Sequence, residues 1–188
     1  MDAADAPVIT SIVPGAKIHG HALDHEAIVV EAFEAHAGKL TGFARAAVRD
    51  ADAADDLVQE TFLRFVRQVR SDRIPDNSAA WLFRVCANLI ISRGRRSSVA
   101  ERMKGLLVDR GMAASPEEIS VQADEKQRLR DTLDVLPPDA RVALLMAADG
   151  YTSEEIGIAI GRTTNATRTY ICRARLRLRE LLAEGDGR

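Results

Sequence analysis

From His25 onward, apolar residues recur at helical spacing along most of the chain. Ile28, Phe33, Leu40 and Phe43 fit one or two opening helices, and Leu57, Phe62, Phe65, Val66 and Val69 fit another that ends with Arg70. A polar, Pro-containing turn from Ser71 to Ser78 separates these from a helix expected over about 79–93. Ser115-Pro116-Glu117-Glu118 then reads as a helix start, with Ser as cap, Pro in the first position and Glu in the third. That helix should run to Leu136 and stop before Pro137-Pro138. Three more helices are expected over about 138–148, 153–160 and 164–183. No stretch alternates with period two for long enough to make a strand, so the expected fold class is all-α.

The pattern weakens in three places, and these divide the chain. Residues 1–24 mix Pro, Gly, Ala and Asp without periodicity and read as a mobile tail. Residues 25–97 form a first small helical domain, 98–115 a flexible linker, 116–184 a second helical domain, and 185–188 a short tail.

Composition narrows the class. A length of 188 residues suits one large or two small domains, and 46% apolar with 29% charged is ordinary for a folded cytosolic protein. Aromatics are only 4%, so the core must be aliphatic, which favours helices over a β-sandwich. A net charge of −2 predicts no general affinity for nucleic acid, but the charge is strongly segregated along the chain. Of the 26 basic residues, 22 are Arg; planar bidentate contacts suit phosphate and guanine, although a GC-rich genome accounts for most of the bias. Cys86 and Cys172 lie far apart and offer neither metal spacing nor a disulfide framework. There is no basic segment leading into an apolar core at the start and no apolar run near 18 residues, so a soluble, cytoplasmic protein without membrane insertion is expected.

The last third carries a recognisable arrangement. Asp149-Gly150 ends one helix, Thr152-Ser-Glu-Glu155 forms a capping box for a short one, Gly161 closes it, and Thr163 can cap a long final helix. Two helices joined by a tight Gly-containing turn make a DNA-binding helix-turn-helix. Thr167, Ile171, Ala174, Leu178 and Leu181 share one stripe of the final helix and must face the core. The opposite face carries Asn165, Arg168, Thr169, Cys172, Arg173 and Arg175, and five arginines fall between 168 and 179. Free amides at the helix start suit phosphate, and Asn and Arg pair with base edges. A solvated, salt-bridged helix would show similar charge, but the short helix and turn before it favour DNA.

The first domain has two unusual segments. Asp50, Asp52, Asp55, Asp56 and Glu60 place five carboxylates in eleven residues with no base among them, while Arg64, Arg67 and Arg70 follow. Part of this is compensation of the helix dipole. Acid would repel DNA, so beyond that a protein partner fits better. In Ala80–Arg96, Leu82, Val85, Cys86 and Leu89 can face inward, while Arg84, Asn88, Ile91 and Arg95 share another face. A polar Asn among bases, near an aromatic, could hold an unpaired strand against a positive groove, although a lone Trp such as Trp81 more often fills a core.

These segments resemble those of a known family. AADDLVQETFLRFVRQ resembles the core-polymerase-binding region 2.2 of bacterial sigma factors, and AWLFRVCANLIISRGRR resembles their −10 regions 2.3 and 2.4. The stretch from LDVLPPDARVALL through the final helix resembles region 4, the −35 reader. Over about 25–184, with only a linker between domains, the resemblance is to the extracytoplasmic-function group of the sigma-70 family. It implies a promoter-directing subunit, not an enzyme, without cofactor or metal. Its implied partners are core RNA polymerase (the β′ clamp helices and the β flap), promoter DNA and an anti-sigma factor. Asp55, Asp56, Leu57, Gln59 and Glu60 would meet the clamp helices. The loop 71–78, with Arg73, Asp76 and Asn77, would capture a flipped −10 base beside Asn88, with Trp81, Arg84, Arg95 and Arg96 along the same segment. Thr163, Asn165, Arg168, Thr169, Arg173 and Arg175 would read the −35 element. Three positions depart from the family pattern: Ser92 where Asp is frequent, Tyr170 where Arg is common, and Arg162 in place of an apolar turn residue.

Two other classes compete. A helix-turn-helix regulator that is not a polymerase subunit shares the C-terminal grammar but has no need of the two N-terminal segments. A metalloprotein would use His19, His21 and His25 beside Asp24, yet that segment lacks a structured second shell. Cys86, on an apolar face, reads as core filler rather than nucleophile.

Overall fold

The computed structural model describes the backbone of residues 20–104 and 121–186, and the side chains of residues 25–96 and 127–184. The described residues form helices α1 (Gly20–Ala47), α2 (Ala51–Arg70), α3 (Ser78–Lys104), α4 (Val121–Val135), α5 (Pro138–Ala148), α6 (Ser153–Ile160) and α7 (Thr164–Asp186), and no strand. The all-α expectation holds. The expected tail over 1–19, most of the expected linker and the Ser115–Glu118 start signal lie outside the described residues.

Local chemistry sets the boundaries. Asp50 caps α2, its carboxylate accepting from the amides of Asp52 (3.1 Å) and Ala53 (3.2 Å). The first acid of the cluster is thus the helix cap, and the other four lie within the helix. The opening segment is one helix, and it begins at Gly20, inside the stretch read as tail. Thr152 and Glu155 form a reciprocal capping box on α6, and Gly161 ends that helix in the left-handed region at φ 72°. The bounds of α5 and α6 are those the pattern predicts.

The largest difference lies in α3. Its expected end near Arg93 is not observed; the helix continues through Lys104, into the segment read as linker. A second face of the helix is buried before that point, over residues 83–91. Towards α2, Trp81 meets Phe65 with ring centroids 5.5 Å apart, and Cys86 faces Thr61. Towards the C-terminal helices, Phe83 meets Tyr151 at 5.1 Å, and a Cβ on Gly94 would lie 2.5 Å from the Pro138 ring. Ala87, Ile90 and Ile91, between those two contacts on the same helical face, are all buried. Ile91 therefore belongs to the core and not to the solvent face with Arg84 and Asn88.

The two halves are consequently packed together around one continuous core. Phe65, Leu40 and Leu82 fill the part enclosed by α1 to α3, and Val142, Met146 and Ile156 the part enclosed by α4 to α7. Polar contacts fasten the seam. Arg49, just past α1, pairs with Asp134 of α4, and Arg141 of α5 donates to the carbonyl of Ala47 at 2.7 Å.

Candidate nucleic-acid and polymerase-binding surfaces

The acidic start of α2 is exposed but internally braced. Arg45 of α1 grips the Asp55 carboxylate with contacts of 3.0 to 3.2 Å, and Arg64 donates to Glu60 at 2.7 Å. The Arg64 guanidinium beside it holds the Glu60 carboxyl below the usual carboxylate range, and Arg67 adds to the effect. Asp56 and Gln59 face solvent. Leu57 does not share that surface: it is 7% exposed and packed in the core, so it anchors the helix rather than offering a contact.

The loop before α3 is tied at both ends. Ser71 closes α2, Asp72 adopts a left-handed φ of 56° and pairs with His25 at 3.0 Å, and the Asn77 side chain accepts from the Ala80 amide at 2.9 Å. Asn77 is thus a helix cap, while Arg73 and Asp76 are exposed. On α3, Asn88, Arg95 and Arg96 are exposed, and Arg84 and Trp81 are half-buried, Trp81 with one face on Phe65. Asn77 and Asn88 are eleven residues apart, or about 16 Å along the axis. They make a track along one helix rather than the walls of a single pocket.

The C-terminal surface rests on close packing within the helix-turn-helix. Thr167, Ile171 and Ala174 of the predicted stripe are buried, with Leu178 and Leu181 packed against the core. Thr167 is satisfied by the Thr163 carbonyl at 2.9 Å, and Thr163 Oγ1 accepts from the Ala166 amide at 3.4 Å, capping α7. Opposite the stripe, Asn165, Arg168, Thr169, Cys172, Arg173 and Arg175 are all exposed. Arg168 and Arg175, with Arg179, line a groove of about 430 Å³ whose far wall includes Tyr151 and Ser153. Tyr151 also meets Phe83, so this groove borders the seam between the halves.

One cluster escaped the sequence reading. The Arg162 guanidinium lies 4.1 Å from the centre of the Tyr170 ring and 3.2 Å from the Asp139 carboxylate. The Tyr170 hydroxyl is pushed up to about 12, chiefly by burial and then by Asp139. The available signal was that Arg162 and Tyr170 both break the family pattern; the structure brings the two departures into contact. Ser92 is exposed, and nothing in the structure explains its replacement of the usual Asp.

His25 is engaged with Asp72, while His19 and His21 lie outside the described residues. Cys86 is fully buried, and burial pushes its thiol up to about 12, as suits core filler. Among the described residues, no helix is long and apolar enough to cross a membrane.

The architecture is that of a helix-turn-helix protein with a second helical half bearing an acidic and a basic surface. The sigma-70 region 2 family matches residues 32–99, and the sigma-70 region 4 family matches residues 126–178. The sigma factor EcfG of Rhodopseudomonas palustris is 35% identical over 150 residues, covering 76% of this chain and 78% of that protein. CarQ of Myxococcus xanthus is 30% identical over 156 residues, covering 81% and 87%. SigE of Mycolicibacterium smegmatis is 35% identical over 136 residues, and this chain spans about half of that relative's length (52%). The structure of the sigma factor RpoE from Bartonella quintana, solved with the anti-sigma factor NepR, aligns with a TM-score of 0.61 at 26% identity, covering 85% of this chain and 97% of that one. The chain belongs to the extracytoplasmic-function group of sigma-70 RNA polymerase sigma factors. Sigma factors of this kind are the subunits that give RNA polymerase its promoter specificity.

Proposed function

We propose that this protein binds core RNA polymerase through the acidic start of α2 and directs it to promoters, with α3 and the 71–78 loop on the −10 element and α7 on the −35 element. The observation that carries this reading is the segregation of charge onto two separate surfaces. Asp55, Asp56 and Glu60, with the Gln59 amide beside them, present acid to a protein, while Asn165, Arg168, Thr169, Arg173 and Arg175 present base-pairing groups opposite a buried stripe. Arg84, Asn88 and Arg95 would hold an unpaired strand by its phosphates and one base edge. The chain contributes no catalysis; nucleotide addition belongs to the polymerase, in the cytoplasm. By analogy with the RpoE–NepR complex, an anti-sigma factor is the expected inhibitor.

The packed halves bear on this mechanism. Elements centred near −10 and −35 are about 25 base pairs apart, or about 85 Å at 3.4 Å per pair. Here Gly94 and Pro138 touch across the seam, so the halves must part before both elements are read together. The packed form is an off-promoter form.

The test compares holoenzyme binding to DNA carrying a pre-melted −10 bubble and to the same DNA fully paired. Wild type should prefer the bubble, and Asn88→Ala should weaken bubble binding about tenfold to a hundredfold while leaving core-polymerase affinity intact. Equal affinity of wild-type holoenzyme for both DNAs would favour an ordinary duplex-reading regulator.

A further inference from the structure

Arg162 sits in the three-residue turn that joins α6 to α7. Two elements converge on it. Asp139, in the first turn of α5, pairs with one edge of its guanidinium, and the Tyr170 ring lies beneath its face. At 100° per residue, Tyr170 is about 130° away from the middle of the face carrying Asn165, Thr169 and Cys172, so its ring is on the flank of α7. Planar stacking with an aromatic and simultaneous pairing with a carboxylate are things a guanidinium does and an ammonium does not. The Arg162 charge is already matched by Asp139.

We propose that Asp139, Arg162 and Tyr170 form a clamp that fixes the orientation of the recognition helix, and that Arg162 and Tyr170 act on −35 readout by positioning rather than by touching DNA. The clamp joins the N-terminus of α5, the turn, and α7 about two turns into its length. Base readout requires side chains held within a fraction of an ångström, whereas phosphate contacts tolerate more slack. Loosening the clamp should therefore erode sequence preference and spare non-specific binding. This rests on the reading of α7 as the base-reading helix.

The test uses full-length protein in holoenzyme, a duplex selected by the wild type from a random pool, and a scrambled duplex of equal composition. Arg162→Ala and Tyr170→Ala should each weaken binding to the selected duplex about tenfold, leave the scrambled duplex unaffected, and combine no worse than either alone. Tyr170→Phe, which keeps the ring, should restore wild-type preference. Arg162→Lys keeps the charge and loses the planar stack; it should lose preference with an unchanged salt dependence. A drop of about 0.9 in the log–log salt slope for Arg162→Ala, equal on both duplexes and rescued by Lys, would make Arg162 a phosphate contact and overturn the clamp. Should the alanine variants fail to fold, Tyr170→Phe and Arg162→Lys carry the same decision. If wild type discriminates and every variant does too, the clamp alone falls. If wild type selects no sequence through α7, the promoter-reading proposal falls with it.

Discussion

Gly157 shows how little room a single position leaves in this fold. A Cβ there would lie 2.7 Å from the Arg162 carbonyl oxygen and 2.9 Å from Thr167 Oγ1. The carbonyl is backbone at the turn, and the neighbouring Arg162 amide donates back to the Gly157 carbonyl at 2.8 Å. Gly157→Ala should destabilise the C-terminal half by about 1–3 kcal/mol, visible as a lowered thermal midpoint by circular dichroism. The two tyrosines make a second test. Burial, joined by nearby carboxylates, pushes both Tyr151 and Tyr170 up to about 12. The folded protein should show no phenolate absorbance near pH 10, the usual value to which both should return in urea. Because the folded state holds these protons more tightly, their contribution to stability is complete below about pH 10 and is lost as pH rises through about 12. Thiol chemistry should likewise split: exposed Cys172 reacts with a disulfide reagent at once, whereas buried Cys86 reacts only on unfolding.

Among the elements, α6 is the shortest and depends most on its ends. Eight residues are too few to be helical alone, so the Thr152–Glu155 box and the left-handed Gly161 cap carry a large share of its local order. Thr152→Ala should cost about 1 kcal/mol and speed hydrogen exchange selectively at α6 amides. Exchange rising equally along α5 would show that the cap is not local in effect. Helix α3 is governed by the opposite circumstance. Its Ser-rich, Arg-rich end has little apolar pattern, yet it stays helical past Gly94 with Pro138 seated against that glycine.

For the whole molecule, the seam turns on Asp134. Its carboxylate meets both Arg49 and Arg141, and its side chain and that of Arg141 are only 14% and 12% exposed. Removing it leaves the largely buried Arg141 beside a hydrophobic core without its counter-charge, which costs about 3 kcal/mol in such settings. Asp134→Ala should therefore lower stability and raise the radius of gyration in small-angle scattering as the halves loosen. An unchanged radius together with unchanged stability would mean that apolar packing alone closes the seam.

Sequence by itself determined most of the helices and the two segregated charged surfaces, because each rests on short-range rules. The Thr152 box, the Gly161 cap and the Thr167–Ile171–Ala174 stripe depend on residues within a few turns of one another, and all appear where the spacing places them. What sequence could not decide is which faces are buried twice. Ile91 lies beside polar Asn88 on the helix, yet the fold buries it while Asn88 stays exposed. Leu57 reads as part of a motif but sits beneath it. Arg162 and Tyr170 look like separate departures until the turn brings them to 4.1 Å, with Asp139 contributed from another helix. The physical reason is the same in each case: helical period records that a face is apolar or charged, while the partner that meets that face comes from a distant part of the chain.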